Sequence, residues 1–303
     1  MNGFLFINKP QNIPSFDIIR ILKQILGRQF KIGFSGTLDP IAEGLIIIGI
    51  GKATKLLDYF HLLPKSYIAT AKLGFISNTY DSQGEITKVN DISISLQQLQ
   101  KVFENFKGEQ LQIPPKFSAK KINGKRAYKL ARDGENFNIP PQKIYIYSLR
   151  LLDYLYPEFK FEITVSSGTY IRSIVDDIGK RLTTGAIMTS LVRNRIGNFS
   201  IDQAVDLYEI KSKVFLKNYL KSIDSIISSF IPELKIDNEF RLENGLPLKL
   251  EHIENKNDIE GDGIYYILKK NGKNRILAIV KAKKNDYNSL VFEYKRIISY
   301  DYF

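Results

Sequence analysis

Residues 33–44 restrict the backbone more than any other stretch of this 303-residue chain. Three glycines and one proline fall within these twelve residues, a density that predicts a loop. Because a proline disfavours helical geometry in the residue before it, Pro40 limits the conformations open to Asp39. The loop therefore presents one carboxylate on a constrained backbone. An Asp-Pro pair often forms a turn and nothing more, so spacing alone leaves both a turn residue and a catalytic carboxylate open.

Composition narrows the chemistry available around this carboxylate. The chain has no cysteine and two histidines, His61 and His252, which lie far apart in the sequence. A disulfide framework, a thiolate metal site and a cysteine nucleophile are excluded. A multi-histidine metal site and a Ser-His-Asp triad are disfavoured, so no metal is expected. Catalysis would have to rest on Asp, Glu, Tyr, Lys, Arg or Ser.

The chain is strongly basic, with 44 Lys and Arg against 32 Asp and Glu and a formal charge of +12. Such a surface favours a polyanionic partner, either nucleic acid or an anionic membrane, although solvated proteins without such a partner can share it. No apolar run approaches the roughly 18 residues of a membrane span. The first ten residues lack the plan of a signal peptide, so a cytoplasmic protein is expected.

Hydrophobic periodicity predicts a mixture of strands and helices over the first two hundred residues. Alternation or β-branched runs predict strands at residues 4–7, 45–50, 65–73 and 159–165. Helical spacing predicts helices from Ser15 to Gly27 and over residues 53–62, 95–106, 170–182 and 186–192. The expected N-caps are Ser15, Ser95 and Thr169.

Two polar side chains occupy informative places in this pattern. Tyr67 falls near the start of a predicted strand, where most tyrosines are core or edge aromatics. Arg172 falls in the first turn of a predicted helix, where a cation opposes the helix dipole unless an anion lies nearby. A single first-turn arginine is common, so the hint of an anion is weak by itself.

The segment at residues 116–132 carries seven positive charges and no negative one. Phe117 and Tyr128 are interleaved with these charges, a composition typical of a surface that grips a phosphate backbone and unstacked bases. A solvated basic helix face would have the same composition, so both interpretations remain open.

The character of the sequence changes after Ile231 and Pro232. Predicted strands at residues 264–268 and 276–280 flank Asn271-Gly272, a strong hairpin signal, and another strand is predicted at 290–298. These features predict two domains: a large one at residues 1–231, which would carry the catalytic residues, and a small β-rich one at 232–303.

Several short motifs, in order, resemble the bacterial tRNA pseudouridine-55 synthases of the TruB type. They cover roughly residues 3–200, and the order makes the set far more specific than any one motif. The motifs are Phe6-Ile7-Asn8-Lys9-Pro10 with Ser15, Gly36-Thr37-Leu38-Asp39-Pro40 with Gly44, Gly51-Lys52-Ala53-Thr54-Lys55, Lys65-Ser66-Tyr67, Gln112-Ile113-Pro114-Pro115 with Ser118-Ala119, Gly168-Thr169-Tyr170-Ile171-Arg172 and Leu191-Val192-Arg193.

This resemblance implies an α+β fold with a central, mainly antiparallel sheet flanked by helices, followed by a PUA-like RNA-binding domain. It implies that Asp39 is the catalytic aspartate and that Arg172 pairs with it. It also implies that Tyr67 stacks on the flipped uracil and is a candidate for proton transfer. Lys9 and Pro10 are expected to support the catalytic loop.

The resemblance further implies a substrate and the residues that bind it. Tyr170 and Leu191 would line the uridine pocket, and an insertion at about residues 108–150 would grip the T-arm of tRNA. Within that insertion the expected RNA contacts are Lys120, Arg126 and Arg132. Isomerisation of uridine to pseudouridine needs no redox step, so no cofactor is expected, and neither is a membrane or a protein partner. A monomer is expected.

One residue departs from the family pattern, because Phe34 stands where the family usually has histidine. Phenylalanine can wedge and stack beside a flipped base, but it cannot donate a hydrogen bond. The rival interpretation is a non-catalytic chaperone that binds and refolds tRNA. A metal-dependent nuclease is less well supported, because the adjacent Asp176 and Asp177 do not face one site on a helix.

Overall fold

The computed structural model describes residues 1–236, 247–259, 261–269, 275–285 and 289–298. Its α-helices are α1 (Ser15–Leu26), α2 (Leu96–Glu104), α3 (Ala127–Arg132), α4 (Ile171–Arg181), α5 (Lys213–Tyr219) and α6 (Ile223–Ile227). Its strands are β1 (Gly3–Lys9), β2 (Ile32–Ser35), β3 (Ala42–Ile50), β4 (Lys65–Leu73), β5 (Phe75–Ser77), β6 (Ile86–Lys88), β7 (Gly108–Gln112), β8 (Lys121–Ile122), β9 (Lys125–Arg126), β10 (Gln142–Leu155), β11 (Glu158–Val165), β12 (Ala186–Ile196), β13 (Phe199–Ser200), β14 (Val205–Asp206), β15 (Gly263–Lys269), β16 (Arg275–Lys284) and β17 (Leu290–Ile297). In this part of the chain no helix has the length and apolarity needed to cross a membrane.

A ten-stranded sheet forms the centre of the fold, in the order β14-β1-β3-β12-β4-β11-β10-β7, with β2 paired to β3 and β13 to β12. The β1–β14 and β3–β12 pairs are parallel, and the other neighbours in this sheet are antiparallel. The predicted α+β class with a mainly antiparallel sheet is confirmed. The parallel β3–β12 pair brings the end of the predicted catalytic loop beside residues 191–193.

Helices cover the sheet with the faces that the sequence predicts. The buried face of α1 consists of Ile18, Ile19, Leu22 and Leu26, and Gly27 ends the helix with a positive φ of 99°. Ser95 caps α2 in a complete capping box, as predicted. Helices α2 and α4 lie over β4, β10, β11 and β12 and enclose an apolar core with them.

Three sequence predictions about these elements were wrong. Ser15 is the first residue of α1 rather than its cap, and its hydroxyl bonds to Leu38 instead. Tyr170, not Thr169, occupies the N-cap position of α4, and the Thr169 hydroxyl donates to the Ser166 carbonyl. Residues 186–192 belong to strand β12, because a central strand buried on both faces has a continuous apolar run that periodicity cannot distinguish from a helix.

Two other predictions were right in kind but differ in their bounds. The helix predicted at 53–62 is present as a 3₁₀ helix that begins earlier, Gly51–Leu62. The predicted loop at 33–44 is shorter than expected, because Ile32–Ser35 pairs with β3 as strand β2 and Phe34 lies on that strand. The irregular segment that carries Asp39 is therefore residues 36–41.

Strands β15, β16 and β17 form a separate antiparallel sheet, which agrees with the predicted β-rich C-terminal region. The Asn271-Gly272 turn lies outside the described residues. Tyr266, Ile276 and Ile279 of this sheet share an apolar cluster with α6 and with Phe60. The backbone N–H of Ile276 also donates to Asp224 of α6, at 2.7 Å. The proposed boundary at residue 231 stays a prediction, because this cluster joins both sides of it.

The predicted insertion at 108–150 begins and ends inside the central sheet. Its first residues form β7 and its last belong to β10, and the two strands pair with each other along the edge. The chain leaves the sheet at residues 113–141, which contain the short β8–β9 hairpin and α3. We call residues 113–141 the basic excursion.

Candidate active site

The segment at 36–41, here called the catalytic loop, connects β2 to β3 and is held by hydrogen bonds from neighbouring chain segments. The Ser15 hydroxyl accepts from the Leu38 N–H at 2.9 Å and donates to the Leu38 carbonyl at 2.8 Å. The Asn12 N–H donates to the Pro40 carbonyl at 2.7 Å. The Ala42 N–H donates to the Asp39 carbonyl at 3.0 Å. The backbone on both sides of the Asp39 side chain is therefore fixed.

Lys9 supports this arrangement from beneath, as predicted from the sequence. Its side chain is fully buried, and Nζ donates to the carbonyls of Pro10 at 2.8 Å and Ile13 at 2.9 Å. Burial lowers the pKa of Lys9 to about 8, while the charges of Asp39 and Glu43 oppose that shift. Lys9 therefore secures the turn that carries Asn12 towards the catalytic loop.

A buried arginine joins two carboxylates at the centre of the site. Arg172 Nη2 lies 2.8 Å from Asp39 Oδ2, and Arg172 Nη1 lies 3.3 Å from Asp81 Oδ2. The Asp39 side chain is 39% exposed, whereas those of Arg172 and Asp81 are 6% and 4% exposed. Two anions therefore offset the unfavourable position of a cation in the first turn of α4. The Asp39 carboxylate is the member of this group that faces solvent.

Asp81, which lies in the polar turn between β5 and β6, was not identified from the sequence. Its carboxylate accepts from Thr79 Oγ1 at 2.7 Å and from the Gln83 N–H at 3.0 Å. A backbone bridge to Met188 fixes the turn against β12. Polar turns are normally solvated, so no feature of the sequence distinguished this aspartate from an ordinary turn residue.

Arg172 also connects the site to the basic excursion. Its guanidinium donates to the Thr79 carbonyl at 3.0 Å and to the Phe117 carbonyl at 3.2 Å. Ser173, the next residue of α4, donates to the Ile113 carbonyl at 3.0 Å. The start of the excursion is thus anchored to the helix turn that pairs with Asp39.

Apolar and aromatic side chains of β4 and β12 share a core with the catalytic loop. Tyr67 on β4 and Leu191 on β12 belong to the same buried cluster as Leu38 and Ile41, which lie on either side of the Asp39-Pro40 pair. The Tyr170 backbone is held by both polar atoms of the Gln112 amide, at 2.8 and 3.0 Å.

The Tyr170 side chain lies within electrostatic range of both Asp39 and Arg172. Burial, with a smaller contribution from the Asp39 charge, raises the pKa of Tyr170. Its phenol is therefore neutral near pH 7 and can serve as a hydrogen-bond donor.

The remaining predicted binding residues lie apart from this cluster. Phe34 is half-buried on β2 and packs against the apolar core beneath α1. Lys120 turns back towards the sheet, with Nζ 3.1 Å from Gln142 Oε1. Arg126 and Arg132 are exposed on the excursion, the latter 5.7 Å from the centroid of the Tyr128 ring. Among the described residues, no group of three or more His, Asp or Glu side chains is placed to hold a metal ion.

Two family models match adjacent parts of the chain. The TruB family pseudouridylate synthase N-terminal domain matches residues 23–171, and the tRNA pseudouridylate synthase B C-terminal domain matches residues 172–230. The tRNA pseudouridine synthase B of Clostridium tetani is 40% identical over 265 residues, which cover 86% of this chain and 91% of that protein. The chain belongs to the TruB family of pseudouridylate synthases. It is an isomerase, and the resemblance seen in its motifs is confirmed.

Other comparisons agree with membership of the TruB family. The tRNA pseudouridine synthase B of Aquifex aeolicus is 41% identical over 264 residues, covering 86% of this chain and 90% of that protein. One chain of a solved Cbf5-Nop10-Gar1 complex superposes with a TM-score of 0.72 at 21% identity. The match covers 97% of this chain and 84% of that chain. One chain of a solved H/ACA RNP bound to a substrate RNA containing 2′-deoxyuridine superposes with a TM-score of 0.71 at 19% identity. The match covers 98% of this chain and 85% of that chain. These likenesses confirm the predicted pseudouridine-synthase fold.

In a TruB-family enzyme this geometry suits chemistry at a carbon centre. A half-exposed carboxylate on a fixed backbone can attack an electrophilic carbon or accept a proton from it. A buried guanidinium 2.8 Å away holds that carboxylate in place through a charge-assisted contact.

Proposed function

We propose that this enzyme converts the uridine at position 55, in the T-loop of tRNA, into pseudouridine, with Asp39 as the catalytic carboxylate. The observation that carries the proposal is the 2.8 Å contact between buried Arg172 and half-exposed Asp39, on a loop fixed from both sides. Relatives at about 40% identity are named tRNA pseudouridine synthase B, which supports tRNA as the substrate class.

The reaction exchanges one bond of the base for another. The bond between N1 of uracil and C1′ of ribose breaks, the uracil rotates, and a new bond joins C5 to C1′. The proton released from C5 is balanced by the proton gained at N1, so no oxidant, reductant or water is consumed. Asp39 either bonds to C1′ or removes the C2′ proton to give a glycal, and both routes begin with its ionised form.

The other residues of the site have matching roles in the proposal. Arg172 pairs with the Asp39 carboxylate and orients it, and Asp81 is the second carboxylate that contacts Arg172. Tyr67 stacks on the flipped uracil and is placed for proton transfer, and Tyr170 and Leu191 line the pocket. Unstacking the target base costs a few kcal/mol. Phosphate contacts made by the basic excursion and the C-terminal sheet would offset this cost and make binding salt-dependent.

The half-buried Phe34 side chain is proposed to contact the RNA by stacking rather than by hydrogen bonding. Its strand leads directly into the catalytic loop, which supports the proposal that an incoming T-loop contacts this side chain. Phenylalanine has no donor or acceptor on its side chain, so its contribution must come from ring area alone.

The test measures tritium released from a tRNA transcript labelled at C5 of every uridine. A matched transcript carries cytidine at position 55. We expect about one equivalent of tritium from the first transcript and none from the second, with chelator present in both. Release from both transcripts would contradict the assignment to position 55. Tight, salt-sensitive binding without any release would favour the chaperone alternative, which the exposed charge of the excursion also fits.

A further inference from the structure

A groove of about 610 Å³ lies where the 3₁₀ helix Gly51–Leu62 meets strand β17, at the end of β2 that is far from the catalytic loop. We call it the cationic groove. Of the five charged side chains that line it in the described part of the chain, four are cations. They are Lys31, Lys55, Lys295 and Arg296, and the fifth is Asp58.

Arg296 connects the two walls of the cationic groove. Its Nε donates to the Lys55 carbonyl at 3.3 Å, and its Nη2 lies 3.9 Å from Asp58 Oδ2. The two walls also share apolar packing, since Phe60 of the 3₁₀ helix and Ile298, which follows β17, belong to one buried cluster. The shape of the groove is therefore set by contacts between the N-terminal and C-terminal regions.

Two lysines of the groove have no counter-charge among the described residues. Lys295 is paired with Glu293, with Nζ 2.6 Å from Oε1. Lys31 and Lys55 are exposed, and neither forms an ion pair with a described carboxylate. A concave surface that carries uncompensated charges of one sign focuses their field between its walls. An anion is therefore favoured in this groove.

Strand β2 connects the cationic groove to the catalytic loop. Lys31 directly precedes β2, and its carbonyl accepts from the N–H of Gly51, the first residue of the 3₁₀ helix, at 2.8 Å. Ser35 ends the strand where the catalytic loop begins. At about 3.3 Å per residue, the strand separates Lys31 from Ser35 by about 13 Å. Phe34 lies between them, so one extended polyanion can reach the groove, this ring and the loop.

We propose that the cationic groove binds a backbone phosphate of the RNA substrate, at a distance from the modified base, with Lys31 and Lys55 as the cations that contact it. The proposal rests on the proposed function for the identity of the RNA. It goes beyond that function by assigning a phosphate site outside the basic excursion, on the opposite side of Phe34 from Asp39. An ammonium suits this role, because it pairs with phosphate as a point charge.

The test compares the wild-type enzyme with the double variant Lys31→Gln/Lys55→Gln. Filter binding of a full tRNA transcript is measured at several salt concentrations. Each phosphate that is no longer neutralised lowers the slope of log affinity against log salt by about 0.7–0.9. We expect a loss of slope in this range or up to twice as large, and affinity about tenfold weaker at 0.1 M salt. An unchanged slope would overturn the proposal.

A matched control separates the groove from the overall charge of the protein. Lys101→Gln/Lys107→Gln removes two exposed charges on and just after α2, which packs on a different apolar core. The control should lose less slope than the groove variant, and an equal loss would overturn the proposal. Lys31→Arg/Lys55→Arg keeps both charges and should keep the wild-type slope. A slope as low as that of the glutamine variant would also overturn the proposal.

Failure of this proposal can be told apart from failure of the proposed function. The unmodified enzyme is assayed with the same transcript for pseudouridine at position 55. Product at that position together with equal slopes for the groove and control variants would overturn the phosphate site and leave the function intact. A lower slope for the groove variant without product at position 55 would support the phosphate site and contradict the function.

Discussion

The catalytic loop and the basic excursion meet at Arg172 but are built on opposite principles. Around the loop, the backbone of Leu38, Asp39 and Pro40 is bonded to neighbouring segments, and the cations Lys9 and Arg193 are buried. Along the excursion most of the cations are exposed. A carboxylate on a fixed backbone favours chemistry, whereas exposed charges favour attraction of a polyanion. Substitutions in the loop should therefore change rate, and substitutions in the excursion should change binding.

The largest effect on folding should come from Arg172, where the two regions join. Arg172→Met would leave the buried Asp81 carboxylate without its counter-charge, which costs about 3–5 kcal/mol of unfolding free energy. Urea unfolding measures this loss. Adding Asp81→Asn to the variant should recover part of the stability without recovering activity. A loss below about 1 kcal/mol would mean that the loop does not depend on this ion-pair group.

Ser15→Ala tests whether the catalytic loop needs its clamp. The variant removes the partner of both the N–H and the C=O of buried Leu38, so we expect a loss of about 2 kcal/mol in stability and a slower chemical step. Ser95→Ala is the control, since it removes a helix cap far from the site at a cost of about 1 kcal/mol. Equal rates for Ser15→Ala and Ser95→Ala would contradict the clamp.

A buried cation at the start of β4, Lys65, predicts a dependence of stability on pH. Burial, and to a smaller extent Arg193, lowers the pKa of Lys65 from 10.5 to about 8. The unfolded chain therefore binds more protons between these pH values, so stability should rise with pH there. Relative to Lys65→Met, wild type should gain about 2 kcal/mol from pH 7.5 to 10. Exposed Lys101 should show no such difference when replaced by methionine, and parallel curves for Lys65→Met would refute the prediction.

The excursion should give the smallest effect on rate and a clear effect on binding. Replacing Lys121, Lys125 and Arg126 together by glutamine should lower the slope of log affinity against log salt by about 0.7–0.9 for each phosphate that the variant no longer neutralises. The rate at saturating tRNA should stay unchanged. Filter binding at several salt concentrations measures the slope, with Lys101→Gln as a control. A slower chemical step at saturating tRNA would contradict the claim that the basic excursion affects binding and the catalytic loop affects rate.

The sequence correctly predicted the elements whose local pattern fits only one type of secondary structure. The helical spacing of α1, the alternation of β4 and the Ser95 cap of α2 all depend on neighbours within a few residues. Strand β12 was missed because a buried central strand and a buried helix share the same apolar run. Its identity as a strand is decided by β3 and β4 on either side, which are distant in sequence.

The site could be predicted to the extent that its residues lie in short motifs. Asp39 and Arg172 were named from the sequence, and the structure places them 2.8 Å apart. Asp81 and the hydrogen bond from Arg193 to the loop could not be found in that way, because each acts through a partner more than ninety residues away. Ser15 was misread because its hydroxyl bonds to Leu38, which lies outside the helix that Ser15 begins.

Asp39→Asn tests the central claim most directly, because it keeps the size of the side chain and removes its charge. Single-turnover tritium release and tRNA affinity are measured on the same preparation. The account predicts a rate constant at least about a thousandfold lower, with affinity changed by less than about threefold. A variant that retains the wild-type rate would contradict the role of Asp39 in this site.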